Sequence, residues 1–130
     1  MVYNRGYDCY IDINIKGGID VIYKGEVLTQ YIGSKGKFKH PYPLVFVPDH
    51  GEACVHRLVA YSYGVLKKTG EHIDHIDNNP FNSLPWNLRV ANNHDNAEYR
   101  KYQEPRTEEN MRLWKEHWIY TTKTNEKDLV

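Results

Sequence analysis

Hydrophobic and polar residues alternate along the first part of the chain, and this alternation predicts strands. From Tyr10 the apolar positions recur at every second residue, on one face of a predicted strand: Ile11, Ile13 and Ile15. Paired glycines at 17 and 18 predict a turn, and a second alternating segment follows. Strands of this kind, apolar on one face and polar on the other, are typical of an antiparallel sheet. We therefore expect residues 7–54 to form a β-rich module.

Prolines change the expectation for the end of that module. Pro41, Pro43 and Pro48 lie in or beside the segment 35–49. Because proline has no backbone N–H to donate to a neighbouring strand, this segment is predicted to be an edge strand or a loop rather than a central strand.

Helical periodicity appears twice. Apolar residues recur at helical spacing from Val55 to Tyr63, and Gly64 is suited to end that helix. Thr107 can cap a second helix from Glu108 to about Tyr120, in which three residues share a stripe predicted to pack on the core: Met111, Trp114 and Trp118. The last eight or so residues are polar and are expected to fray.

Between these helices the pattern predicts two short strands and a further helix. The first strand runs from His72 to Ile76 and ends in the turn-forming cluster Asp77-Asn78-Asn79-Pro80. The second is expected at 88–90. Asn92 or Asn93 can then cap a helix that runs through Tyr102. The predicted order is therefore strand, loop, strand, helix.

Four residues of this segment suggest chemistry on a phosphodiester: Asp74, His75, Asn87 and Asn96. A carboxylate and an amide oxygen can hold a hard cation that polarises a phosphate, while an imidazole takes a proton from the attacking water. We expect the neighbouring carboxylates Asp74 and Asp77 to raise the pKa of His75. Neighbouring strand residues point to opposite faces, so Asp74 and His75 can flank one phosphate only where the strand ends or bulges.

The order and spacing of these residues resemble the HNH endonucleases, the ββα-metal nucleases, and in particular their phage and intron-associated homing branch. The matching motif is Asp-His-x-Asp-x-Asn at 74–79, then Asn-Leu-Arg at 87–89, then Asn96. The resemblance implies that His75 is the general base and Asn87 the central asparagine. It also implies that Asp74 and Asn96 are the metal ligands, with Mg²⁺ or Mn²⁺ as cofactor and double-stranded DNA as substrate. It covers residues 55–100 well and 7–54 loosely.

Asn87 is expected to fix the loop after His75 rather than to react, although it belongs to the catalytic set. Arg89 is either a phosphate clamp or part of a solvated strand face. His72, Asp77 and His56 are candidates for supporting positions around the site, although a histidine that opens an apolar helix is more often a packing residue.

Charge gives the DNA-binding hypothesis only local support. The chain has 17 basic and 17 acidic side chains and a formal net charge of +0, whereas DNA-binding proteins commonly have a basic surplus. The segment from Val27 to Pro48 contains no acidic residue, and three of its lysines are predicted to bind DNA phosphates: Lys35, Lys37 and Lys39. The alternative is that this segment is an ordinary solvated hairpin tip without a role in binding DNA.

Length and composition limit the remaining choices. We expect 130 residues to form a single domain. The two cysteines make a four-ligand zinc site improbable, so a zinc-finger-like binding module is disfavoured. No apolar run is long enough to cross a membrane, and the N-terminus does not look like a signal peptide. We expect a protein of the bacterial cytoplasm, if it is phage-encoded.

The sequence therefore predicts an α+β protein with three parts: a β-rich module at 7–54, an HNH nuclease core at 55–102, and a C-terminal helix with a frayed tail at 103–130. The expected function is that of a divalent-metal-dependent DNA endonuclease that nicks or cuts duplex DNA. The alternative is a catalytically idle HNH-fold module that binds DNA or a protein partner, for instance a host target.

Overall fold

A four-stranded antiparallel sheet forms the start of the chain. The computed structural model describes residues 1–33, 41–68, 70–91 and 104–124. The sheet contains β1 (Val2–Asn4), β2 (Cys9–Ile13), β3 (Ile19–Tyr23) and β4 (Glu26–Val27), in that order. The predicted turn at the paired glycines joins β2 to β3, with Gly17 at φ 87°. Ile15 lies in that turn with a fully exposed side chain, so its predicted place on the apolar face is wrong. The strand ends at Ile13, because the chain must already reverse towards Ile19.

A second antiparallel sheet has three strands: β5 (Gln30–Gly33), β6 (Tyr42–Val47) and β7 (Gly51–Cys54). Its order is β5-β6-β7, so β6 is the central strand and the predicted edge or loop is wrong here. The proline is tolerated because of where it lies. Pro43 pairs with Ile32 of β5, whereas pairing with β7 begins only at Leu44, so at Pro43 the strand has a single neighbour.

One short helix and one hairpin follow. The helix α1 (Val55–Ser62) ends before Gly64, whose φ of 78° is the left-handed conformation expected of a glycine that closes a helix. The hairpin pairs β8 (His72–His75) with β9 (Leu88–Ala91), and a single 3-10 turn at Pro85–Asn87 precedes β9. Both strands agree with the predicted positions.

Apolar residues of both larger sheets and of α1 meet in one core. Its fully buried members include Ile11, Val21, Val45, Val47 and Val59, and Leu88 extends the cluster to the hairpin. The hairpin is thereby attached to the rest of the protein through its apolar side, which fixes the face that β8 turns inward.

The C-terminal helix α2 (Glu108–Thr121) begins as predicted, since the Thr107 hydroxyl accepts a hydrogen bond from the Asn110 N–H. Trp118 is buried, and its indole N–H donates to the Gln30 side-chain oxygen at 3.1 Å. After the helix, the Lys123 carbonyl accepts a hydrogen bond from the Gln30 N–H. Lys123 is therefore held to the second sheet rather than frayed, while the tail from 125 lies outside the described residues.

The fold is a mixture of antiparallel sheets and helices, which confirms the α+β prediction. The predicted helix after β9 and the predicted lysine-rich hairpin tip lie outside the described residues. Within the ranges that the structure describes, no helix is both long enough and apolar enough to cross a membrane.

Candidate active site

His75 is the last residue of β8, and its side chain points into the protein. It is 3 % exposed, and its ring lies 5.0 Å from the ring of His56, edge to face. His56 is the second residue of α1 and is 7 % exposed. The Tyr42 ring packs on His56, with the two ring centres 5.2 Å apart. The structure thus places two buried imidazoles and one half-buried phenol ring in a single cluster.

Burial keeps both imidazoles neutral. The pKa of His75 is lowered from 6.5 to about 4, chiefly because burial penalises the charged form and also because the Arg106 guanidinium is near. The pKa of His56 is lowered from 6.5 to about 3 by burial, by His75 and by Arg57. The prediction that Asp74 and Asp77 would raise the pKa of His75 is therefore wrong. Those carboxylates are engaged elsewhere, and the loss of hydration outweighs them.

Asp74 lies on the other face of the hairpin. It is paired with Arg89 across the two strands, and the Arg89 guanidinium donates to its carboxylate at 3.0 Å. The side chains are 24 % and 16 % exposed, respectively, so the ion pair is only partly open to water. Because β8 ends at His75, the regular alternation of side chains between the two faces also ends there, where the chain enters the loop.

Asn87 holds that loop through its side chain. Its amide oxygen accepts from the Asp77 N–H at 3.1 Å, and its amide nitrogen donates to the Asp77 carboxylate at 2.9 Å and to the Asn82 carbonyl at 3.0 Å. The Asn87 carbonyl accepts from the Ile76 N–H at 2.7 Å. The side-chain amide and the backbone carbonyl of Asn87 therefore both hold the chain directly after His75.

The turn after His75 is shaped by its own side chains. The Asp77 carboxylate accepts from the Asn79 N–H at 2.8 Å and from the Asn82 amide at 2.9 Å. Asn78 has a φ of 68°, a left-handed conformation that asparagine tolerates better than most residues. Asp77 is thus a structural partner of Asn87, and its carboxylate is directed into the loop.

Arg106 joins the site from the C-terminal part of the chain. Its guanidinium donates to the Asn78 carbonyl and to the Asn78 side-chain oxygen, both at 3.0 Å. The Asn78 amide in turn donates to the Glu104 carbonyl at 2.8 Å. This arrangement brings a half-buried cation next to the His75 loop.

The other predicted site residues are distributed unevenly. His72 is exposed at the first residue of β8, opposite Ala91 and away from the imidazole cluster. Asn96 and the three lysines lie outside the described residues: Lys35, Lys37 and Lys39. Among the residues that are described, no three His, Cys, Asp or Glu side chains come together as a metal site. Asp74 is therefore the one predicted metal ligand whose surroundings can be stated.

Sequence reasoning missed Arg106 and Tyr42. Arg106 lies 31 residues after His75 in the sequence, and no motif links it to the hairpin. Tyr42 lies in the acid-free segment from Val27 to Pro48, in which only lysines were assigned a role. Its contact with His56 depends on β6 being the central strand, which the prolines argued against.

Comparison of the chain with models of known protein families, with curated proteins and with solved structures finds no match.

Proposed function

We propose that this protein is a divalent-metal-dependent DNA endonuclease of the HNH type. The observation that supports this most strongly is the β8–β9 hairpin with the loop after His75. Asn87 fastens this loop at both of its polar ends, so the chain leaves His75 in a fixed direction. Preorganised support of this kind is what a catalytic imidazole requires.

His75 would accept a proton from the water that attacks phosphorus. An imidazole with a pKa of about 4 is neutral at pH 7, so it needs no deprotonation before it acts. Arg106 is bonded to Asn78 in the loop after His75 and Arg89 to Asp74 of β8, and both would neutralise phosphate charge. Both residues are half-buried, so they lose less side-chain freedom on binding than exposed cations would.

Asp74, together with Asn96, would hold Mg²⁺ or Mn²⁺. An all-oxygen pair suits these cations better than zinc, and the ion when bound would polarise the phosphate and stabilise the leaving oxygen. The Asp74 carboxylate fits a cation site in its chemistry. Its hydrogen-bond partner, Arg89, is itself suited to phosphate, so a bound phosphate would compete with Asp74 for the guanidinium.

A second candidate function is a catalytically idle module that keeps the hairpin only for binding. The burial of His75 favours it, because an imidazole that is 3 % exposed meets no substrate until its surroundings move. The formal net charge of zero also fits a protein partner better than DNA.

A plasmid assay separates the two candidates. Purified protein is incubated with supercoiled DNA in Mg²⁺, in Mn²⁺, in Zn²⁺ and in a chelator, at low salt. The nuclease proposal expects nicked or linear DNA with Mg²⁺ or Mn²⁺ and none with the chelator. Intact supercoiled DNA under all four conditions, from a protein that melts cooperatively, would exclude the nuclease and leave the binding module.

A further inference from the structure

A groove on the outer side of α1 has the chemistry of a nucleotide site. It is a cavity of about 620 Å³ between α1, β7, the first turn of the chain and the loop at 65–68. This volume is within the range of about 300–1,000 Å³ that is typical of small-molecule and cofactor sites. The groove is separate from the imidazole cluster, since His56 faces the hairpin while its neighbour Arg57 lines the groove.

The charge of the groove is positive although the whole chain is neutral. Arg57, Lys67 and Lys68 line it together with the Glu52 carboxylate, and the Glu71 carboxylate lies beside the lysine loop, so the cations outnumber these two carboxylates. Glu52 is already engaged, because it accepts a hydrogen bond from the Tyr31 hydroxyl. The two lysines are exposed, and no ion pair joins either of them to a carboxylate within the described ranges.

Glu71 keeps those lysines at the rim. Its carboxylate accepts hydrogen bonds from the backbone N–H groups of Lys67 and Lys68, which fixes the loop that carries both ammonium groups. The Glu71 carbonyl accepts from the Arg57 guanidinium at 3.0 Å, so the same residue also positions the third cation. Arg57 is thus positioned through its guanidinium and the two lysines through their backbone, and three cations placed together can bind phosphate.

Aromatic rings complete the groove. Tyr61 lies four residues after Arg57, on the same side of α1, and its side chain is 51 % exposed. Tyr7 also lines the groove. The chain around Tyr7 is attached to α1, because the buried Asn4 side chain donates to the Leu58 carbonyl and the Ser62 hydroxyl and accepts from the Tyr7 N–H. An exposed aromatic ring beside a phosphate-binding rim is the pairing that single-stranded nucleic acids use.

We propose that this groove binds an unpaired nucleotide of a DNA strand, with phosphate at Lys67, Lys68 and Arg57 and the base against Tyr61. A duplex fits the groove less well, because its bases are stacked inside and cannot reach a ring in a concave site. The inference deepens the proposed nuclease function by adding a second contact with the substrate strand. It predicts a preference for DNA with a local single-stranded segment.

The test is a binding titration of a fluorescent ten-nucleotide oligo-dT strand, with a chelator present so that cleavage plays no part. Tyr61→Ala should weaken binding by about 5- to 150-fold, the usual loss for a stacked base, whereas Tyr61→Phe should bind like the unchanged protein. Lys67→Ala with Lys68→Ala should lower the slope of log affinity against log salt by about 1.4, at about 0.7 per phosphate contact. The matched control changes two lysines outside the groove, Lys16→Ala with Lys115→Ala, and should alter the slope little.

Several results would overturn the groove assignment. Equal losses from the two lysine pairs would mean that only general charge matters. Equal binding by Tyr61→Ala and Tyr61→Phe would show that no base stacks on the ring at position 61. Equal affinity for a duplex of the same length, or displacement by dTMP as efficient as by the oligonucleotide, would exclude an unpaired nucleotide of a strand. Because no cleavage is involved, these outcomes do not depend on whether His75 is catalytic.

Discussion

The two faces of strand β8 differ in almost every physical respect although their residues are neighbours in sequence. His75 points inward, is 3 % exposed, and meets the ring of a second neutral imidazole. Asp74 points outward and forms an ion pair with Arg89. The inward side chain is almost fully shielded from water, whereas the outward ion pair is partly open to it. Asp74 and His75 are neighbours in one sequence motif, but the fold places them in different environments, one polar and one mostly apolar.

For the proposed nuclease, this difference leaves the strand end as the place where a proton acceptor and a metal ligand could serve one phosphate. Side chains on opposite faces of a strand can approach one phosphate only where the strand stops. In this protein β8 stops at His75, and Asn87 holds the following loop. Each face therefore leads to a separate prediction. Removing the His75 imidazole should affect proton transfer and stability in acid, and removing the Asp74 carboxylate should affect the metal requirement.

The largest effect should come from the inward face. His75→Ala should lower metal-dependent cleavage by about 10²–10⁴-fold, the usual cost of losing a general base. Initial rates of plasmid nicking at saturating Mg²⁺ measure this. The matched control is His117→Ala, which removes an exposed histidine from α2 and should cleave normally. If His75→Ala retains full activity and melts like the unchanged protein, the catalytic assignment is wrong.

Acid should destabilise the protein through the same imidazoles. Since the pKa values of both are lowered in the folded state, to about 4 for His75 and about 3 for His56, the unfolded chain takes up their protons first as the pH falls below 6.5. Their contribution to stability is complete above pH 6.5. It declines towards pH 4 for His75 and towards pH 3 for His56, and at pH 5 the loss is about 2 kcal/mol per histidine.

Denaturant unfolding at pH 7.5 and pH 5 measures this loss. His56→Phe removes one titrating ring but keeps an aromatic group beside Tyr42, so it should be less sensitive to acid. His117→Phe, an exposed change, should keep the full sensitivity. Identical losses in both variants would show that the His56 imidazole does not account for the acid response.

The sequence predicted local elements better than environments. The alternation of apolar residues located β3, helical spacing located α1, and the caps at Thr107 and Gly64 located the helix ends, because these signals depend on neighbours in the chain. The central position of β6 was missed, since a proline rule assumes two neighbouring strands and Pro43 has one.

The same limit applies to the candidate site. The motif located His75 and Asn87 on the hairpin, but the direction of the His75 pKa shift was wrong. Acidic neighbours in sequence suggested a raised value, whereas burial against His56 and the approach of Arg106 lower it. Both causes arise from tertiary contacts between segments that are distant in sequence, and no local pattern records them.

A third prediction concerns the loop that joins the two faces. Asn87→Ala should lower the free energy of unfolding by about 1–3 kcal/mol, because the Asp77 and Asn82 groups that it satisfies lose their partner. Chemical denaturation measures the loss. Asn110→Ala breaks a hydrogen bond to the Pro105 carbonyl at an exposed position and should cost less than about 0.5 kcal/mol. An unchanged stability together with a reduced cleavage rate would instead give Asn87 a part in the chemistry.

The smallest effect should come from the outward face and concerns the metal. Asp74→Asn keeps the shape of the side chain but removes its charge, and it should raise the Mg²⁺ concentration needed for half-maximal cleavage by about 10-fold, since even indirect partners of a metal commonly contribute that much. Arg89→Gln breaks the same ion pair from the other side. It should raise the DNA concentration needed and leave the Mg²⁺ requirement as it was, because Arg89 would contact phosphate. Each variant should lose about 1 kcal/mol or less of stability, as partly exposed ion pairs do. If Asp74→Asn keeps the Mg²⁺ requirement of the unchanged protein, Asp74 serves only the ion pair and is not a metal ligand.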